Sequence, residues 1–363
     1  MDNTLKNSIH GLILLSALLT CTLFSSCDNE PIDTEDEGHM VVDVDFEILT
    51  VDGREVNKDG RTKVFTETGI ENITALVFTA DNKFDYMASG TIKSSDDNGT
   101  MFTVKLRSSK TPVYIYFVAN STSAFTVPVN IPQWGDALST VKRKIALTYG
   151  VNGISKELPM AGWVQLPALN ANLVNTIHIK MLRAVARADI VVAPEISTST
   201  FQLVNARIYR ANDSIQVIPV PEVNWENPVI STTSILEKST YRINSLNAIN
   251  VSSTNKIEGR IFLPESRRII NEAERTSKAT ALVVGGRFNN SLLITYYRID
   301  FDSNQSEHPF GQILRNYCYL FTISNVSGDG WSSPNDAANN VPSNIIVSVQ
   351  PWIDVDLEID LDN

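Results

Sequence analysis

The chain has 363 residues, 43% of them hydrophobic and 20% charged, with a formal net charge of -11. That length can bury two cores, and the composition is that of a globular protein, which excludes wholesale disorder. Three cysteines (Cys21, Cys27 and Cys318) are too few for a disulfide framework, so no structural disulfide is expected.

At the start, Lys6 supplies a positive region and Gly11 to Phe24 an apolar run too short to span a bilayer. Leu23-Phe24-Ser25-Ser26-Cys27 follows, and small residues before a cysteine at this place resemble a bacterial lipobox. Residues 1–26 therefore read as a lipoprotein signal cleaved between Ser26 and Cys27, with lipid on Cys27. The alternative is a plain secretory signal in which Cys27 is incidental. Two or more acyl chains hold a protein stably on a membrane, whereas one is marginal.

Asp28 to Gly38 is an acidic tether too polar to pack, and it resembles the surface-export signal of Bacteroidota lipoproteins. Residues 27–61 hold twelve acids against three bases and so carry nine of the eleven net negative charges. The acidity belongs to this leader rather than to the body, and no nucleic-acid partner is expected.

Within the leader, Val42-Asp-Val-Asp-Phe-Glu-Ile48 alternates apolar and acidic side chains, the period-2 signature of a strand with one buried and one wet face. Val51 to Thr62 is a polar, turn-rich loop of the kind proteases nick, and it offers Arg54 and Arg61 to an Arg-specific enzyme. From Ile70 the pattern predicts strands at Ile73–Thr79, Met101–Leu106, Val113–Ala119 and Val174–Leu182. Only Trp134 to Leu147 has helical spacing, through Ala137, Leu138, Val141 and Ile145. Met181 to Val192 reads as a strand carrying the chain from one sandwich into the next, which puts a domain boundary near residue 184. The second half predicts strands at Phe201–Arg210, Ile215–Pro219, Thr254–Leu263, Ala279–Phe288, Ser291–Phe301 and Tyr317–Val326, with Gly285-Gly286 as a bulge or turn. Short strands with little helix predict an all-β fold of antiparallel sandwiches.

The closing run, broken at Pro351-Trp352, resumes as Ile353-Asp-Val-Asp-Leu-Glu-Ile-Asp-Leu361, with Ile353, Val355, Leu357, Ile359 and Leu361 on one face. It repeats the pattern of residues 42–48. Both are ordinary edge strands with protective acidic faces, or the two compete for one groove by strand exchange.

Catalytic chemistry is sparse. His10 leaves with the signal, His39 lies in the tether, and His178 and His308 sit apart from any cysteine or carboxylate cluster, His178 on the polar phase of a strand. Metalloprotease, nucleophile-elbow, P-loop and dinucleotide motifs are lacking. The acids from Asp354 to Asp360 lie in line rather than around an ion, and Asp329 to Asp336 lacks a calcium loop's spacing. No catalytic residue, metal site or cofactor is expected, and the chain reads as a non-enzyme. The five tryptophans are scattered and read as anchors of core or loop rather than as a sugar platform. Asp213-Ser214-Ile215 resembles a Bacteroidota O-glycosylation motif.

Taken in order, several stretches resemble the fimbrillins of Bacteroidales, the type V pilins. They are the lipobox at Cys27, Arg61-Thr-Lys-Val-Phe65 with Glu71 to Phe78, Leu158-Pro-Met-Ala-Gly-Trp163, Leu182 to Arg187, and Ile323 to Gly330 through Pro342-Ser-Asn-Ile345 to Trp352. The resemblance implies two tandem transthyretin-like sandwich domains, 62–184 and 185–363, behind a signal (1–26) and a leader (27–61). It also implies an outer-membrane lipoprotein whose leader is removed by an Arg-specific protease between Arg61 and Thr62, a site that fits the family's spacing better than Arg54. The strand 42–48 would be lost and the region after Ile345 donated to another fimbrial subunit, giving a surface fimbrium that supports adhesion. An anchor or tip subunit, or a glycan-binding surface lipoprotein, is the alternative.

Overall fold

The computed structural model describes residues 40–49, 55–56, 62–63, 69–96, 99–154, 157–169, 176–220, 242–302 and 309–353. The first half supplies β1 (Val41–Leu49), β2 (Glu55–Val56), β3 (Thr62–Lys63), β4 (Ile73–Phe78), β5 (Phe84–Asp96), β6 (Gly99–Arg107) and β7 (Val113–Ala119). There follow helix α1 (Leu138–Lys144), β8 (Ala146–Thr148), β9 (Met160–Leu166), β10 (Ile177–Ile179) and β11 (Met181–Arg183). Eight of these strands form one sheet in the order β10-β1-β6-β5-β4-β7-β9-β11. Its two end strands are neighbours in the chain, parted by Lys180 alone, so the sheet curls back on itself. The rings confirm it: Phe46 of β1 meets Phe117 of β7, four places along the order, at 4.9 Å. The inner faces enclose a core that includes Phe78, Phe102, Ile115, Phe117 and Leu76, none of them exposed.

The second half supplies β12 (Ala186–Val192), β13 (Phe201–Asn212), β14 (Ser214–Gln216), β15 (Arg242–Ser245), β16 (Ile249–Asn250) and β17 (Lys256–Leu263). After them come α2 (Arg275–Lys278), β18 (Ala281–Phe288), β19 (Thr295–Asp300), β20 (Tyr317–Val326), α3 (Pro334–Asn339) and β21 (Ile345–Ile353). They build a sheet β17-β12-β20-β21 and a second, β15-β13-β18-β19. Phe301, just past β19, sets its ring against Phe321 of β20 at 5.0 Å and Tyr319 at 5.4 Å, joining the two layers. The chain is thus all-β and sandwich-like, with most pairs antiparallel. Two pairs, β1–β10 and β12–β20, are parallel. Partners so far apart in the chain need no hairpin, so either direction is open to them.

The two halves meet where β8 pairs with β14, Leu147 opposite Ile215, and where the Tyr149 hydroxyl donates to the Phe262 carbonyl at 2.7 Å. Fully buried Arg315 braces the same region, donating to the carbonyls of Val217 (2.8 Å) and Gln216 (2.7 Å) and to Glu265 (2.7 Å). An arginine held by carbonyls and one carboxylate keeps its charge satisfied in a dry interior.

Several sequence expectations change in detail. The helical stretch Trp134–Leu147 contracts to α1, because Ala146 onward is captured by β14. The run Met181–Val192 is two strands, broken where Ala184 donates to Pro159 and Val185 accepts from Asn316. Gly285-Gly286 lies inside β18, while the bulge sits opposite it, between Leu203 and Asn205 of β13. A Cβ on Gly286 would lie 2.2 Å from the Phe201 ring, so the glycine clears space for that ring to pack on Tyr297. Strand β5, the longest, escapes sequence reading because Met87-Ala-Ser-Gly90 and Lys93-Ser-Ser-Asp96 are small or polar; its ladders to β4 and β6 create it.

Candidate functional site

The site is strand β1 and the groove it fills. Alternation puts Val42, Val44, Phe46 and Ile48 inward, between 0% and 6% exposed, and turns Asp43, Asp45 and Glu47 outward. On one side β1 pairs antiparallel with β6 over its whole length, from Val41 opposite Arg107 to Leu49 opposite Gly99. On the other it pairs parallel with β10, Phe46 opposite Ile177 and Ile48 opposite Ile179. An interior place in a sheet satisfies backbone groups on both edges. Phe46 lies at the deepest point, stacked on Phe102 at 5.4 Å and edge-on to Phe117 at 4.9 Å, with those two rings 5.5 Å apart. The four inward side chains contribute roughly 6–12 kcal/mol of gross burial.

The outer face is complementary in charge. Asp45 accepts from Lys93 Nζ of β5 at 2.7 Å and from the Thr103 hydroxyl of β6 at 2.5 Å. These two hydrogen bonds, first that of Lys93, hold its carboxyl below the ordinary value of 3.8. Asp43 stands opposite Lys105, and Glu47 is paired with His178 Nδ1 of β10 at 3.1 Å. His178 is thus an exposed strand residue, as its phase predicts, with its Nδ1 against the Glu47 carboxylate.

Strand β1 reaches the rest of the described body through one stretch of chain. In that stretch Glu55 pairs with Lys63 and Val56 with Thr62. Arg61 and Arg54 themselves lie outside the described residues, as do Ser26 and Cys27; Thr62 opens β3. Val355, Leu357, Ile359 and Leu361 also lie outside them. Ile353 is the last residue of β21, paired opposite Tyr317 in its own sheet. The groove residues Lys93, Thr103, Phe102, Phe117 and Ile177 were not singled out from sequence. Periodicity marks a face as inward but does not name the strand it faces.

Other candidates resolve simply. Trp163 packs on Tyr114 at 6.3 Å and Trp331 bridges to Tyr296, but Trp134 stands 82% exposed on a turn and anchors nothing. Ser214 opens β14. Cys318 is buried in β20, its thiol directed at Asp189 at 3.8 Å. Among the described residues no group of three or more His, Cys, Asp or Glu is placed to hold a metal ion, and no helix is long and apolar enough to cross a membrane.

No protein-family model matches the chain, and no curated protein matches it in sequence. Solved structures do match in shape. The tip fimbrial protein Mfa3 of Porphyromonas gingivalis, solved with a C-terminal truncation, superposes with a TM-score of 0.51 at 14% identity, covering 86% of this chain and 99% of that one. The fimbrilin FimA of Porphyromonas gingivalis gives 0.50 at 16% identity, over 87% and 99%. The chain has a fimbrillin-like fold. At these identities the fimbrillin likeness is one of architecture, and nearly the whole length of each relative is matched.

Proposed function

We propose that this chain is a structural subunit of a cell-surface fimbrium, made as a lipidated precursor and assembled by strand exchange. The observation that carries this is β1. It occupies an interior place between β6 and β10, yet the chain that leads from it to β4 passes through Arg61. Cutting a tether turns an intramolecular strand into a separate peptide and removes the high effective concentration that held it in place. Cleavage between Arg61 and Thr62 then frees β1 to leave, exposing both flanking ladders and the pocket around Phe102 and Phe117. A strand with alternating apolar residues refills such a groove, and Ile353 to Leu361 has that form.

The remaining organisation follows. Residues 1–26 direct export, Cys27 carries lipid that holds the precursor on the outer membrane, and 27–61 form the removable leader. Residues 62–184 and 185–363 are the two sandwich domains of the subunit. Partners are other fimbrial subunits, and the assembled fimbrium supports adhesion without catalysis.

The test is intact mass and N-terminal sequencing of the protein from the cell surface, before and after an Arg-specific protease. A new N-terminus at Thr62 appearing with polymers is expected, and a chain ending at Ile353 should be processed but remain unpolymerised. Polymers that form normally without residues 354–363 would refute strand donation. An acylated Cys27 retained with no polymer under either condition would point instead to an anchor.

A further inference from the structure

Strands β13, β15, β16, β18 and β19 hold five arginines (Arg207, Arg210, Arg242, Arg287 and Arg298) against one acid, Asp300, in a chain whose net charge is -11. Asp300 accepts from Arg298 at 2.7 Å, and Arg298 and Arg210 both donate to the Ala338 carbonyl, so these two guanidiniums fasten α3 to the sheet. Arg207 and Arg287 have no such duty. Both stand on the outer face: Ala206 and Ile208 turn inward beside Arg207, and Gly286 faces the inner ring of Phe201 beside Arg287. Between them runs a row set by the register: Asn250 opposite Asn205, Asn205 opposite Gly285, Gly285 opposite Tyr296 and Tyr296 opposite Trp331. Opposed residues share a face, so two carboxamides, a bare glycine and two aromatic side chains stand in line over roughly 19 Å.

A Cβ at Gly285 would lie 2.7 Å from Asn205 Oδ1 and 3.0 Å from Tyr296 Cε1, so the glycine lets both side chains lie low across the sheet. With Oδ1 turned to the glycine, Asn205 Nδ2 points away from it. Among the described residues neither Nδ2 nor the Arg207 guanidinium has a hydrogen-bond partner, and Arg287 meets Gln202 alone, Nη1 to Oε1 at 3.4 Å. Trp331 is 37% exposed at the end of the row. We propose that this strip binds an acidic polysaccharide, a sugar chain bearing carboxylate or sulfate groups. Arg207 and Arg287, their Cα atoms ~14 Å apart by strand geometry, each fork onto one anion. The carboxamide between them donates to sugar oxygens, and the rings of Tyr296 and Trp331 offer apolar surface to the C–H face of a sugar. A flat strip suits an extended chain, whereas a small anion would engage one arginine and leave the row unused. The inference goes beyond strand exchange: β1 and Arg61 take no part in it, so either reading can fail while the other stands.

The test is affinity electrophoresis of the full-length chain through gels holding polygalacturonate, which carries carboxylates, dextran sulfate, which carries sulfates, or plain dextran. Retardation by one or both acidic polymers and not by dextran is expected, and the polymer that retards identifies the anionic group. Arg207→Gln and Arg287→Gln should each weaken retention about tenfold, the loss of a charge-assisted hydrogen bond. Trp331→Ala should weaken it several-fold, and Lys110→Gln, which removes an exposed charge from the first half, should leave it unchanged. Asn250→Asp brings an acid into the row at an exposed position, so it should weaken retention at an unchanged melting temperature, and it decides the matter if an arginine variant fails to fold. No retardation by either acidic polymer would overturn the site. So would equal losses from Lys110→Gln and Arg207→Gln, or full retention after both Trp331→Ala and Asn250→Asp. Tighter binding of oligothymidylate or polyglutamate than of either sugar chain would overturn the ligand class in favour of a nucleic acid or an acidic peptide.

Discussion

Phe46→Ala should distinguish the uncut chain from one cut after Arg61. Phe46 is completely buried and touches both Phe102 and Phe117, so truncation leaves a cavity bounded by two rings that the surrounding strands cannot close. A buried Phe→Ala change costs about 3–5 kcal/mol. At roughly 2–4 °C per kcal/mol for domains of 150–250 residues, the melting temperature should fall by roughly 6–20 °C. The assay is thermal unfolding of precursor kept intact by Arg61→Ala, with and without Phe46→Ala. The same comparison is then made on protein with Arg61 restored and the leader cut away. The intact pair should differ by the full amount and the processed pair not at all, because β1 has left. An unchanged melting temperature in the precursor would refute the packing argument. An equal difference after processing would mean that β1 stays in place, and the exchange reading would fail with it.

Other outcomes follow from particular contacts. Arg61→Ala should block removal of the leader, whereas Arg54→Ala should leave an N-terminus at Thr62; N-terminal sequencing decides, and the reverse result moves the site. Gly330→Ala sets a Cβ 2.4 Å from the backbone oxygen of Tyr296, which has no side-chain freedom to yield. Overpacking of this kind costs about 1–3 kcal/mol, so chemical denaturation should show a clear loss, and an unaltered midpoint would contradict the geometry. Asp45 is depressed below 3.8 in the folded state, so its stabilisation is complete above that pH and is lost as pH falls through the lower folded value. Lys93→Ala should return its carboxyl toward 3.8, as followed by NMR titration; an unmoved titration would show that Lys93 is not the cause.

Much of the strand content was legible because a half-buried strand writes its burial as alternation. Residues 42–48, 113–119 and 317–326 are cases where inward and outward phases, or a continuous apolar run, mark the element directly. Strand β5 was not legible: its residues carry little apolar signal, and it exists because β4 and β6 supply hydrogen-bond partners on both edges. The helix at Trp134–Leu147 was overread for a similar reason, since β14 draws Ala146–Thr148 into a ladder that local spacing does not reveal. Trp134, expected to anchor, is exposed because aromatic identity alone does not fix which way a turn residue points.

For the candidate site the division is the same. The sequence alone determined that residues 42–48 and 353–359 share one alternating pattern of apolar and acidic residues and that a polar stretch with two arginines follows the first, because period and composition are local properties. Only the tertiary structure decided that the first strand is an interior member of its sheet, with β6 and β10 on its edges, Phe102 and Phe117 beneath it, and Lys93, Lys105 and His178 on its outer face. Those partners lie between about 50 and 130 residues away in the chain. Which strand closes on which is fixed by how the whole sheet curls to bury its apolar face, and no single stretch encodes that.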